Sequence, residues 1–412
     1  MSKKMKKILV PQYLQSFSCI GSDCEDTCCA GWRVDVDKVT YKKYKNVKNS
    51  ILKTTIEKNI KRNRKHSSEG NYAVIKMASE GGCTFLNEDK LCSIQLQLGE
   101  GFLSNTCAIY PRSINLVNEV IEKAATTSCP EIARLVLLNP KGIEFAELNE
   151  PISVRNHIEK KINTNSTIKT KKGEQFFWEI RVFAIQLLQN RECSVSERLL
   201  ILGLFLQEVH QSIETNDTSS IIDSITKYTR LIKDGTMREV ILEIPKNINI
   251  QLGFCKSLVD VRLTSTVQSK RYIECLADMI QGLNLTEEAL PEDIAKNYDQ
   301  AYNNYYKPFM DEHEYILENY LVNYVFKNLF PFGRKTIFND YVILVIHYSM
   351  IKLHLIGMAG KEHGLNQEMV IKLIQSFSKT IEHNSLYLQM INSSLEQNRY
   401  NTMGYMAVLI MN

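Results

Sequence analysis

The chain has 412 residues, more than a single domain of roughly 100–200 residues holds, so two or three domains are expected. Its 44% hydrophobic and 23% charged residues are an ordinary globular mixture, and a chain this long buries enough apolar surface to fold without disulfides. A net charge of +4 is too slight to imply a nucleic-acid partner, and the basic run KNIKRNRK at 58–65 lacks interleaved aromatics.

The basic first residues, 1–7, are followed by too few apolar residues for a secretory h-region. The most apolar stretch, 341–360, contains His347, Lys352 and His354, so it reads as a buried helix and not a membrane span. A cytoplasmic protein with no membrane partner is expected. In that reducing compartment clustered cysteines bind metal or catalyse more often than they form disulfides.

In chain order, Val34, Val36 and Val39 frame a short strand leading into a helix capped by Asp37. Residues 71–77 (NYAVIKM) alternate as a strand, and 113–117 with 120–125 read as a hairpin across Asn118-Glu119. Ser128-Cys129-Pro130-Glu131 opens a helix, with Pro near its first position and an acid in its first turn. Residues 141–173 are polar and broken by Pro151 and NTNST, which predicts a linker. Apolar residues then recur at helical spacing over 175–189, and Ser194-Val195-Ser196-Glu197 is a capping box. Further helices are expected at 219–233, 251–282, 291–328, 336–358, 367–394 and 397–411. Gly357, Gly360 and Gly364 read as a helix stop, and the tyrosines at 298, 302, 305 and 306 as core packing. The fold class is mainly α: a cysteine-rich α+β metal-binding domain (1–140), a linker (141–173) and an all-helical, substrate-binding domain (174–412).

Eight of the eleven cysteines precede residue 130: Cys19, Cys24, Cys28, Cys29, Cys83, Cys92, Cys107 and Cys129. Zinc sites usually show paired C-x2-C knuckles, which are missing here. Eight thiolates suffice for two four-ligand centres, and an iron–sulfur cluster tolerates irregular spacing. Cys129 and Cys92 stand at expected helix starts, and Cys107 lies near Arg112, settings that favour thiolate. Cys193, Cys255 and Cys275, each alone on an expected apolar helix, read as small buried hydrophobes. Five histidines, His313, His347, His354, His363 and His383, show no paired metal spacing, so no second metal site is assigned to them.

Residues 19–33 (CIGSDCEDTCCAGWR), 83–112 (CTFLNEDKLCSIQLQLGEGFLSNTCAIYPR) and 128–134 (SCPEIAR) resemble the flagellin lysine-N-methylase family, part of a wider CxxCxxCC metal-chelating group. The opening KILVPQY (7–13) and NYLVNYVFKNLFPFGR (319–334) resemble it too, so the likeness spans nearly the whole chain. The gaps of x4 and x3 differ from the x2 gaps of the group's name. The resemblance implies S-adenosylmethionine-dependent methylation of flagellin, with a [4Fe-4S] cluster bound by the eight cysteines.

The sequence itself shows no methyl-donor motif: neither the Rossmann G-x-G-x-x-G nor the spacing Cys-x3-Cys-x2-Cys is found. Under the resemblance, the substrate lysine must lose a proton before it attacks, and Tyr110 or Asp35 is a candidate base. Alternatively, the cluster binds the donor or passes electrons. Arg112 either holds the donor carboxylate or caps a loop carbonyl, and Trp32 either stacks on adenine or belongs to the core. The rival reading is a non-enzymatic zinc- or iron-binding adaptor.

Overall fold

The computed structural model describes residues 5–411, apart from 66, 80, 152–156, 166–172, 218, 243, 245–247, 249, 251, 254–268 and 287. Cys255 and the first part of the helix expected at 251–282 lie outside the described residues.

The first half carries β1 (Met5–Pro11), β2 (Asp35–Val36), α1 (Lys38–Lys45), α2 (Ser50–Asn59), β3 (Ile60–Arg62), β4 (Ala73–Ile75), α3 (Ser93–Leu98), α4 (Asn105–Ile109), β5 (Arg112–Val117), β6 (Val120–Ala125), α5 (Pro130–Leu137), β7 (Phe145–Pro151) and β8 (Lys160–Ile162). Asp37 caps α1 by accepting from the Thr40 N–H, as its position before the helix predicts. Val39 lies on α1, exposed, and not on the strand. The β5–β6 hairpin forms, its turn made by Asn118 in the left-handed region, which Asn tolerates better than most residues.

Two sheets result. The three-stranded one is antiparallel, β2-β4-β3, and covers a small separate core of Val34, Val36, Phe85, Ile94 and Leu103. The five-stranded one, β7-β1-β6-β5-β8, is mixed: β1 runs parallel to β6 and β5 parallel to β8. Both β7 and β8 come from the stretch expected to be a linker. Its polar composition reflects an edge strand, β7, whose residues are all at least partly exposed.

The second half is helical: α6 (Phe177–Leu188), α7 (Val195–Glu214), α8 (Ser220–Lys233), α9 (Thr236–Leu242), α10 (Lys270–Leu283), α11 (Pro291–Ala301), α12 (Lys307–His313), α13 (Tyr315–Lys327), α14 (Ile337–Glu362), α15 (Gln367–Phe377), α16 (Ser385–Gln397) and α17 (Met403–Met411). The Ser194–Glu197 capping box opens α7 as expected. Single π-helical turns, Tyr302–Tyr306 and Ser378–Glu382, interrupt the helices expected at 291–328 and 367–394. α14 is the one described helix long and apolar enough to cross a membrane, yet its apolar window lies wholly inside the protein. It is apolar all round because it is packed all round.

Gly357 and Gly360 do not stop that helix. A side chain on Gly282 of α10 would meet the Gly357 carbonyl oxygen at 1.8 Å, so these glycines let α10 and α14 cross at backbone contact. The helix ends five residues after Gly357, with His363 in the left-handed region.

The sheet is fastened to the helices by buried polar contacts. Arg181 of α6 makes a two-pronged pair with Glu122 of β6, at 2.8 and 2.6 Å, with both side chains out of solvent. On α13, Asn323 donates to the Ala125 carbonyl and accepts from Tyr13, while Asn319 donates to the Asn139 carbonyl. The 319–334 stretch is therefore a docking helix for the N-terminal sheet.

Candidate functional site

The loop after β1 carries Cys19, Cys24, Cys28 and Cys29 and lies between the small core and the helical body. Cys29 belongs with the small core: its carbonyl accepts from the Cys83 N–H at 2.7 Å, and Ala30 bridges to Gly82. Cys83 is part of that core, and Cys29, Cys92 and Cys107 pack on it. The Cys28 and Cys29 sulfurs are 4.0 Å apart. Cys24 faces the other way. Its neighbour Glu25 pairs with Arg134 of α5, the helix that Cys129 caps. Gln375 of α15 donates to both Asp26 and the Ser128 carbonyl, at 2.8 Å each, so 24–26 and 128–129 are laced side by side.

The helix starts at Cys92 and Cys129 form as expected, but the thiolate setting expected of Cys129 does not follow. Burial pushes the Cys129 thiol up to about 11, although the Glu131 and Ile132 N–H groups pull it down. Burial likewise pushes Cys107 to about 12, and Arg112 does not counter it: its guanidinium lies over the Phe17 ring, 5.2 Å from the centre. Burial also raises Cys24 and Cys83. Cys28 alone is held low, chiefly because the Cys29 thiol hydrogen-bonds to it, and Cys29 is pushed up for the same reason. Thiols this hard to ionise unaided suit a ligand role, in which the metal itself displaces the proton.

Among the described residues no three His, Cys, Asp or Glu side chains stand close enough to clasp a single metal ion. The donors are thiols throughout, the set an iron–sulfur cluster takes, and a body of several atoms holds its ligands farther apart than one ion does. The donor set fits a cluster on this ground.

Against the loop lies the π-helical turn Ser378–Glu382. A π turn adds a residue to the helix and re-aims its side chains, and such turns are frequent at functional sites. Here Lys379 reaches both Asp26 carboxylate oxygens and the Thr27 carbonyl, all at 2.9 Å. Ser378 is hydrogen-bonded to Thr127 at 2.6 Å and donates to Glu382. Glu382 also accepts from Tyr320 and pairs with Lys327 at 2.9 Å. Burial opposes its charge, but Lys327, His347 and Ser378 hold its carboxyl below the ordinary range. His383 is hydrogen-bonded to Ser128 at 3.0 Å and to Thr126 at 3.2 Å, and Ser128 to Tyr110 at 3.1 Å. Part of the residue reaches solvent, yet loss of water around the ring lowers the imidazole from its ordinary value, so it is neutral at neutral pH.

The other expected site residues separate. Tyr110 is at the seam, but burial and the nearby Cys129 hold its phenol protonated, a donor and not a base. Asp35 is on β2 and pairs with Arg33 at 2.8 Å, apart from the thiols. Trp32 is only half-buried; its indole donates to the Cys28 carbonyl and its ring lies 5.6 Å from that of Tyr110. It lines an open cleft of about 460 Å³ with Arg33, Val74 and Met77. Cys275 is buried on α10, as expected, whereas Cys193 lies in the turn before α7. The sequence reading missed Asp26, Gln375, Lys379, Glu382 and the seam position of His383. Only Ser128 had a signal, in SCPE.

Comparison with known proteins gives the lineage. Residues 181–409 match the family described as FliB lysine N-methylase C-terminal domain. A lysine-N-methylase of Salmonella choleraesuis is 24% identical over 92% of this chain and 94% of that protein. The lysine-N-methylase of Salmonella typhimurium is 23% identical over the same shares. A flagellar biosynthetic protein FliU of Salmonella muenchen is 37% identical over 35% of this chain and 85% of its own length. No solved structure matches. The family match covers more than half of the chain and rules out the non-enzymatic adaptor: the chain belongs to the FliB lysine N-methylase family and is a lysine N-methyltransferase.

Proposed function

We propose that the protein transfers methyl groups from S-adenosylmethionine to lysine side chains of flagellin in the cytoplasm, with an iron–sulfur cluster held by its N-terminal thiols. The flagellar substrate is supported by the name of the FliU relative, and the site by one observation. The loop of cysteines is clamped by Lys379 and Gln375 onto a polar chain that runs from Tyr110 through Ser128 to His383.

The physical requirement is a neutral lysine amine, since an ammonium has no lone pair with which to attack a methyl carbon. A free lysine ionises near 10.4, and even an ordinary histidine near 6.5 lies about four decades below it, an uphill proton transfer of about 5 kcal/mol that the lowered His383 makes larger. His383 is therefore a neutral hydrogen-bond partner that orients Ser128 and Thr126, not the base. Among the described residues the seam's carboxylates are paired, Asp26 with Lys379 and Glu382 with Lys327. Desolvation there favours the neutral amine, which sheds its proton to water on entry. Trp32 and Tyr110 supply apolar surface for that desolvation. When bound, the cluster supplies an electron donor or an iron position for the amino and carboxylate groups of the methyl donor.

Coexpression with flagellin followed by mass spectrometry of flagellin peptides tests the reading. Lysines heavier by whole methyl groups are expected; unmodified lysines throughout would remove flagellin as the substrate.

A further inference from the structure

The cleft that Trp32 lines on the small domain adjoins the seam. We propose that this cleft holds the adenine of the methyl donor against the Trp32 indole, with the donor's reactive end directed to the seam. The proposal rests on the reading that S-adenosylmethionine is the donor.

The backbone makes the cleft. At one end Asp35 pairs with Val74 across the small sheet, and the Ile75 N–H donates to the Val34 carbonyl at 3.0 Å. At the other end the Gly31 N–H donates to the Gly81 carbonyl at 3.1 Å, and Ala30 bridges to Gly82. Between these ties the second chain folds on itself: the Ala78 N–H donates to the Gly82 carbonyl at 2.7 Å, and Met77 bridges to Cys83. The two chains therefore part around Trp32 and Arg33. They leave about 460 Å³ of open space, within the range of small-molecule clefts. Gly31 and Gly81 have φ of 84° and 80°, so the tie that closes this end depends on glycine.

The lining selects the ligand. Trp32, Val74 and Met77 supply aromatic and apolar wall, and Ser79 adds a hydroxyl. The indole is held in orientation, because its N–H donates to the Cys28 carbonyl at 2.6 Å. An oriented and half-buried indole is a stacking surface that needs no ordering when a flat ring arrives. Among the described residues of the lining there is no carboxylate, so a lysine ammonium finds no partner there. Arg33, the one cation among them, is paired with Asp35 at 2.8 Å. A neutral, flat heterocycle suits this lining better than a free ammonium or a phosphate.

The position ties that heterocycle to the reaction. Trp32 is a wall shared with the seam, its ring 5.6 Å from that of Tyr110, which is hydrogen-bonded to Ser128. Gly31 touches the seam as well: a side chain built on it would stand 3.7 Å from Cε of Lys379. A nucleoside stacked on Trp32 thus has the clamp and the polar chain next to it.

The test is binding by the full-length protein, purified anaerobically, with each variant checked for retained helix by circular dichroism. Labelled S-adenosylmethionine is measured by equilibrium dialysis. Trp32 and Trp178 are the two tryptophans, so Trp178→Phe leaves Trp32 as the sole fluorescent indole. Adenosine should quench that fluorescence saturably and compete with the labelled donor. Trp32→Ala should weaken donor binding about tenfold or more, the loss of one base–aromatic stack, and Trp32→Phe should restore part of it. Ala78→Trp, which fills the cleft from an exposed position, should weaken binding too and carries the test if Trp32→Ala does not fold. Unchanged donor affinity in the folded cleft variants, or a Trp32 signal that adenosine does not move, overturns the placement alone. Quenching by a lysine peptide in place of adenosine overturns it in favour of the substrate. A wild type that binds no S-adenosylmethionine overturns the donor reading and the placement with it.

Discussion

His347 and His354 are buried, and burial lowers each imidazole from 6.5 to about 4. Between those values the folded protein keeps them neutral while the unfolded chain protonates them. Their full contribution to stability is therefore present above pH 6.5 and is lost as pH falls towards 4, at about 3 kcal/mol for each residue. Thermal unfolding should move steeply to lower temperature between pH 6.5 and 4.5, and a flat profile across that window would contradict their burial. Lys379 tests the seam at the same scale. Lys379→Ala should abolish most methylation while helix content by circular dichroism stays unchanged, and Lys379→Arg should restore part of it by pairing with Asp26. Full activity in Lys379→Ala would show that the clamp is dispensable. Neither residue was legible in the sequence, because Lys379 and His383 meet partners more than 250 positions away. The cysteines were legible by density alone, yet the expectation that the start of α5 and Arg112 make Cys129 and Cys107 thiolates failed. Burial outweighs two backbone N–H bonds at Cys129, and Arg112 faces an aromatic ring.

At the scale of elements, period and caps located most helices, and turn residues located the β5–β6 hairpin. What escaped were features set by neighbours. The π turn Ser378–Glu382 leaves no mark on an apolar pattern that runs on through 367–394, because only the contacts of Lys379 and Glu382 with other elements reveal it. Strands β7 and β8 looked like a linker because polarity follows exposure at a sheet edge as readily as it follows a loop. The glycines of α14 looked like a stop, since a crossing helix is invisible in one segment's sequence. They make a sharp prediction. Gly282→Ala places a methyl where the Gly357 carbonyl stands, so α10 and α14 must separate, at about 1–3 kcal/mol or more. Its melting temperature should fall well below that of Gly364→Ala, whose new methyl enters open space. Equal melting temperatures would contradict the backbone contact.

Across the whole molecule, helical periodicity correctly indicated a chain dominated by helix, and the most apolar stretch proved to lie inside the protein. The family stretch at 319–334 was legible as a likeness but not as a mechanism; its asparagines turn out to hold the sheet, and its Tyr320 and Lys327 hold Glu382. The thiol loop is thereby fixed against helices from the far end of the chain, and the seam exists only when both parts are folded. The most direct measurement is transfer of labelled methyl from S-adenosylmethionine to purified flagellin by the anaerobically purified protein. Label on the lysine side-chain nitrogen, at a rate that rises with pH towards the ionisation of the free amine, is the predicted result. No transfer, or label on any other atom of flagellin, would contradict the account.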